Sequence, residues 1–80
     1  MYIEFELPQG AGGTAAAHKR FLIRQAVNKW ATKHDVAYTE KTVKYTHRIC
    51  FTDDAICDFF ALSYTGTGKF RIVNPLNNLT

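Results

Sequence analysis

The chain of 80 residues has little cysteine and little proline, and it has no long apolar run. Its two cysteines, Cys50 and Cys57, show neither a CxxC motif nor metal-ligand spacing, so we expect free thiols in a reducing compartment. No apolar stretch approaches the roughly 20 residues of a membrane span, and the start of the chain lacks the pattern of a signal peptide. We therefore expect a cytoplasmic protein without a metal, a cofactor or a membrane contact.

Charge is distributed unevenly along the chain, whose formal net charge is +3. Residues 15–51 hold eight basic and two acidic residues, a net charge of +6. The remainder holds two basic and five acidic residues, a net charge of −3. This separation favours an anionic partner at the basic surface. The alternative is a solvated helix face whose charge only keeps the protein in solution.

Alternating apolar and polar side chains predict four β-strands, at residues 2–7, 36–39, 42–51 and 69–73. Glu40 and Lys41 would form the turn between the second and third strands. This turn lacks the Asn-Gly or Asp-Gly pair that favours a tight hairpin, so one irregular strand over residues 36–51 is the alternative. In the third strand His47 falls among apolar side chains, and we expect a buried histidine with hydrogen-bond partners.

Two segments carry apolar residues at helical spacing. The first helix is predicted over residues 15–34 with Thr14 as its N-cap, and the second over residues 53–64 with Thr52 as its N-cap. Phe21 falls on the polar side of the first helix. Such an aromatic residue either packs beneath the preceding loop or anchors a partner.

The element order strand, helix, strand, strand, helix, strand predicts an α+β fold of the ferredoxin-like βαββαβ type. Two helices would cover one face of a four-stranded antiparallel sheet. We expect a single domain over residues 1–74, followed by a polar tail at residues 75–80. The first strand would lie between the third and fourth, so that Glu4 and Glu6 on the open face are flanked by cations. The second strand would lie at a sheet edge, where a homodimer could form.

The first helix and the loop before it are the primary candidate for binding. The residues predicted to contact an acidic protein partner are His18, Lys19, Arg20, Phe21 and Arg24. Cations in the first turns oppose the helix dipole, which suggests a role other than helix stabilisation. The glycine-rich loop either approaches an anion such as phosphate or is only a connector, and its residues in question are Gly10, Gly12, Gly13 and Thr14.

The open sheet face is the alternative surface, for nucleic acid. Its predicted contact residues are Tyr2, Lys44, Arg48, Lys69 and Arg71. The segment KYTHRICF, residues 44–51, resembles the third-strand signature of the RNA-recognition motif in its lysine, isoleucine and phenylalanine. Thr46 and Arg48 stand where that family has stacking aromatics. The resemblance is one of shared topology without membership, and it implies electrostatic contact with little base stacking.

The predicted topology and the use of the first loop are also similar to the acylphosphatases, in which case Arg20 would hold an anion. The loop motif of that family is not reproduced. Our leading hypothesis is a small non-catalytic regulatory protein, an adaptor or inhibitor, and a virus-encoded protein is one candidate of this kind. It would bind an acidic protein through the basic helix and the glycine-rich loop. Nucleic-acid binding is the alternative, and an acylphosphatase-like enzyme ranks third.

Overall fold

The computed structural model describes residues 1–9 and 13–74, so the predicted tail at residues 75–80 lies outside it. The elements are β1 (Tyr2–Glu6), α1 (Thr14–His34), β2 (Tyr38–Val43), β3 (Thr46–Phe51), α2 (Asp54–Ser63) and β4 (Phe70–Val73). The strands form one antiparallel sheet in the order β2-β3-β1-β4, with β2 at an edge. These elements confirm the α+β class. Within the described ranges, no helix has the length and apolar character needed to cross a membrane.

The β2–β3 hairpin turns at Lys44 and Tyr45, and the predicted turn at residues 40–41 is wrong. Val43 and Thr46 form the last pair before the turn, and the Thr46 hydroxyl donates to the Val43 carbonyl at 2.7 Å. Lys44 adopts a left-handed φ of 53°, which is uncommon for a residue with a side chain. The sequence signal was weak because neither turn residue is the glycine or asparagine that usually occupies such a position.

The predicted N-caps of both helices are wrong by one residue. Gly13 caps α1 with a φ of 67° and no side-chain hydrogen bond, and Thr14 is the first helical residue. Asp53 caps α2, because its carboxylate accepts a hydrogen bond from the Ala55 N–H at 2.9 Å. A carboxylate in this position is favoured over a threonine hydroxyl, since it also carries negative charge at the positive end of the helix.

One cluster of buried side chains joins both helices to the sheet. Its members are Ile3, Phe5, Leu7, Ile23, Val27, Trp30, Ala31, Ile49, Cys57, Phe60 and Tyr64. The Phe60 ring packs edge-on against Phe5, with 6.2 Å between centroids, and stacks on Tyr64 at 4.6 Å. Alternate residues of β1 point away from this cluster, which places Glu4 and Glu6 on the polar face of the sheet. Both cysteines are free, as expected.

Candidate functional site

Helix α1 carries an excess of positive charge. It contains no aspartate or glutamate, and its five fully charged cations are Lys19, Arg20, Arg24, Lys29 and Lys33. Within the described ranges only Arg24 of this set forms an ion pair, with 2.8 Å between its Nε and Glu40 Oε1. The Lys19 ammonium donates to the Thr67 hydroxyl at 3.1 Å, which leaves its charge uncompensated. The surface around α1 therefore attracts anions.

The five residues predicted to bind a partner lie on more than one side of α1. Arg20 and Arg24 face β2, where both line a small pocket with residues of that strand. Lys19 reaches the loop before β4 through its bond to Thr67. His18 is exposed. The predicted set therefore divides between the two flanks of α1.

Phe21 remains 54% exposed. Together with Arg24 it borders a depression of about 330 Å³ between α1 and β2, whose other wall includes Tyr38. The Tyr38 hydroxyl lies 3.5 Å from Asn28 Oδ1, and burial, followed by the nearby Glu40 charge, raises the pKa of Tyr38. The exposed Phe21 ring thus borders the same depression as Arg24 and Tyr38.

A chain of hydrogen bonds connects α1 to the hairpin. Arg24 Nε bonds Glu40 Oε1, and Glu40 Oε2 lies 3.1 Å from His47 Nε2. The other ring nitrogen, Nδ1, lies 3.2 Å from the Thr42 hydroxyl. His47 is only 2% exposed, which confirms the predicted buried histidine. The network arises because Thr42 and His47 are direct partners across the hairpin and Glu40 lies on the same strand face as Thr42.

The sequence interpretation missed Glu40 and Thr42 as site residues. It placed Glu40 in a turn, and on that register neither residue faces His47. The spacing Glu40-x-Thr42 would have indicated a shared strand face, but only with the turn at residues 44–45. Nowhere in residues 1–9 and 13–74 do three His, Cys, Asp or Glu side chains lie where they could hold a metal ion.

Glu4 organises the polar face of the sheet. Its carboxylate is largely buried, and its Oε2 lies 3.3 Å from Arg48 Nε. Its Oε1 accepts from Arg71 Nη2 at 2.8 Å and from Arg71 Nε at 3.1 Å, and these bonds raise the pKa of Arg71. The Arg48 guanidinium also lies over the Tyr2 ring, 4.9 Å from its centroid. Arg48 and Arg71, two of the five residues predicted for nucleic acid, thus bind one carboxylate, and Tyr2 contacts Arg48.

The remaining predicted site residues are placed elsewhere. Lys44 lies in the hairpin turn and not on the sheet face, so its predicted position is wrong. Lys69 is exposed and immediately precedes β4. In the glycine-rich loop, Gly13 and Thr14 form the start of α1, and Gly10 and Gly12 lie outside the described residues.

A second groove, of about 350 Å³, lies between α1 and the end of α2, and the sequence interpretation did not anticipate it. Lys29 and Lys33 border it, and Trp30 forms part of its wall. The Trp30 indole N–H donates to the Ser63 hydroxyl at 2.9 Å, so the ring is held in place from α2. This groove is also flanked by cations without an ion pair in the described part of the chain.

Comparisons with known proteins give no match: no protein-family model, no curated protein and no solved structure matches this chain. Two arrangements of the chain's own residues favour a binding function: the cation-rich helix with its exposed aromatic ring, and the paired arginines of the sheet.

Proposed function

We propose that this protein is a small non-catalytic binding module, an adaptor or inhibitor, that engages an acidic protein surface through α1 and the adjoining edge of β2. The observation that carries the proposal is the exposed Phe21 ring beside Arg24, on a helix with five cations and no acid. Aromatic and arginine side chains are enriched in interfaces, and charge complementarity accelerates association and selects partners.

The architecture that we propose is the ferredoxin-like βαββαβ arrangement, with both helices on one face of the sheet. Its support is the position of β1 between β3 and β4, together with a core that contains residues of both helices. On this arrangement the partner-binding surface and the Glu4 face lie on opposite sides of the sheet. The edge position of β2 supports a related hypothesis, self-association through that strand.

Nucleic-acid binding through the sheet face is the second candidate. Its support is the Arg48 guanidinium packed on the Tyr2 ring, since bases bind to aromatic and arginine planes on exposed sheets. Glu4 opposes it, because its buried carboxylate already offsets one of the two positive charges of Arg48 and Arg71. Lys44 does not add its charge to this face.

The test compares two exposed apolar residues on different helices. Proteins that co-purify with the chain are identified, purified and titrated against wild type, Phe21→Ala and Leu62→Ala. Leu62, which is 88% exposed on α2, is the matched control. We expect Phe21→Ala to weaken the complex by about 30-fold, the effect of losing a hot-spot side chain, and Leu62→Ala to change it less than about twofold. Equal affinities for all three proteins would refute the α1 interface.

A salt series distinguishes the two functions. Random single-stranded and duplex DNA and RNA are titrated with the protein from low to high salt. A nucleic-acid surface predicts a micromolar dissociation constant. The logarithm of the association constant should then fall steeply with the logarithm of the salt concentration, and Arg48→Gln should lose binding. The protein-partner proposal predicts that nucleic-acid binding is weak and is insensitive to Phe21→Ala.

A further inference from the structure

The pocket between α1 and the hairpin combines several hydrogen-bond donors with an excess of positive charge. It has a volume of about 140 Å³, and its lining residues are Arg20, Arg24, Glu40, Lys41, Thr42 and His47. Glu40 is the one acid in this set against three full positive charges, a net charge of +2 with a neutral histidine. We call it the α1–β2 pocket. It is separate from the depression beside Phe21, although Arg24 and Glu40 border both.

Arg20 is the residue in this pocket whose charge is not balanced. Its side chain is half-buried, yet it makes no ion pair and no side-chain hydrogen bond with any described residue. Partial burial weakens the hydration of a guanidinium, so such a group gains from a nearby anion. The neighbouring Arg24 uses its Nε for Glu40, and no residue in the described part of the chain bonds its two Nη groups.

The Thr42 hydroxyl is held at the same pocket by the His47 ring. The Glu40 carboxylate can only accept, so in a neutral ring Nε2 carries the proton and donates to Glu40. Nδ1 then accepts from the Thr42 hydroxyl, whose hydrogen is used in this bond. The donors left for a ligand at this pocket are therefore the guanidinium groups of Arg20 and Arg24.

We propose that the α1–β2 pocket binds a single oxyanion, a phosphate or a carboxylate group, through the guanidinium groups of Arg20 and Arg24. Arginine forks match the geometry of both groups and bind them by charge-assisted hydrogen bonds. A volume several times the roughly 30 Å³ of a water molecule accommodates either group. Its biological source rests on the proposed function, since an acidic partner would supply the anion as a side chain, but the pocket itself can be tested without a partner.

The experiment is an NMR titration of the ¹⁵N-labelled full chain with inorganic phosphate and, separately, with acetate, at constant ionic strength. The readouts are the arginine Nε–H signals and the backbone amide of Thr42. We expect saturable shifts confined to the pocket. Arg20→Gln should weaken phosphate binding about tenfold or more, because a hydrogen bond to a charged group is lost. Lys29→Gln, which removes the same charge elsewhere on α1, should change it less than about twofold.

The outcomes distinguish binding at the α1–β2 pocket from nonspecific attraction of anions to the charged surface of α1. Shifts that do not saturate, or that Lys29→Gln reduces as much as Arg20→Gln does, would overturn the proposal. Because Arg20→Gln removes a half-buried side chain, Arg20→Lys provides a second variant that keeps the charge but loses the guanidinium fork, and it should weaken binding severalfold. Tighter binding of phosphate than of acetate supports a pocket for phosphoryl groups, and equal binding supports one that also takes carboxylates.

The Phe21→Ala variant distinguishes a failure of the anion pocket from a failure of the proposed partner interface. Phe21 does not line the α1–β2 pocket, so its removal should leave phosphate binding unchanged. Loss of partner binding with retained phosphate binding supports both conclusions. Retained partner binding in Phe21→Ala refutes the proposed interface and leaves the phosphate titration as an independent result.

Discussion

Glu4 on β1 and Arg48 on β3 lie directly opposite each other, with 3.3 Å between Glu4 Oε2 and Arg48 Nε. The second carboxylate oxygen binds Arg71 on β4, so one side chain connects three neighbouring strands. The predicted flanking of this glutamate by cations is confirmed. The arrangement stabilises the sheet and at the same time reduces the positive charge that this face offers to an anionic ligand.

Glu4→Gln should destabilise the protein while making the sheet face more attractive to nucleic acid. The substitution removes the negative charge between Arg48 and Arg71, and we expect the free energy of unfolding to fall by about 1–2 kcal/mol, since hydrogen bonds to charged groups are lost. Urea denaturation measures the stability. A single-stranded DNA titration at low salt measures the binding.

Glu6→Gln is the matched control, because Glu6 lies on the same strand and face but is exposed and makes no ion pair among the described residues. Glu6→Gln changes the net charge of the protein by the same amount as Glu4→Gln. If both variants lose the same stability, the Glu4 carboxylate has no special role in connecting the strands.

Gly68→Ala should destabilise the protein far more than Gly13→Ala. Gly68 has a φ of +104°, and an added Cβ would lie 2.9 Å from Phe5 Cδ1 and 3.2 Å from Ile23 Cγ1 in the core. Backbone strain and overpacking together predict a cost of about 2–5 kcal/mol. Gly13 has a φ of +67° with no described atom within 4 Å of such a Cβ, which predicts only about 1 kcal/mol. Chemical denaturation of both variants checks the difference, and similar losses would contradict the core contact.

Tyr64 should make the protein less stable at alkaline pH. Burial raises the pKa of its hydroxyl from 10.0 to about 12. The folded state therefore keeps the proton after the unfolded state has lost it. The stabilisation is complete below about pH 10 and is lost as the pH rises towards about 12, by roughly 2–3 kcal/mol.

Tyr64→Phe tests this pH dependence. The variant loses the hydrogen bond from the hydroxyl to the Thr67 carbonyl, at a cost of about 1 kcal/mol near neutral pH. Its free energy of unfolding should then fall less steeply than that of wild type above about pH 10. Denaturation curves recorded across this range measure both slopes, and parallel curves would exclude Tyr64 as the cause.

Ser63→Ala should loosen the contact between the two helices. The Ser63 hydroxyl accepts from the Trp30 indole and donates to the Phe59 carbonyl at 2.7 Å, so its removal leaves a buried N–H without this partner. We expect a loss of about 1–2 kcal/mol and a change in the fluorescence of the single tryptophan. Ser63→Thr keeps the hydroxyl and serves as the control. Equal effects of the two substitutions would show that the indole hydrogen bond contributes little.

The strand and helix periods were readable in the sequence, and the errors lie where a local signal was weak. Alternation placed Glu4 and Arg48 on the polar face and His47 and Ile49 in the core. The ion pair between Glu4 and Arg48 and the burial of His47 and Ile49 confirm this. The hairpin turn was misplaced because its positive φ falls on Lys44, a residue without turn preference. That single error hid the Thr42–His47 pair.

By itself the sequence determined the element types, the faces of β1 and β3, and the absence of acidic residues on α1, because periodicity and composition are local properties of the chain. Only the tertiary structure decided that Glu40 bridges Arg24 and His47, and that Arg20 borders their pocket. These contacts depend on the strand register and on the position of α1 over the hairpin. The register is set by the position of the turn between β2 and β3, and the position of α1 by packing against a strand that follows it in the chain. A one-residue shift of register would turn these side chains to the other face.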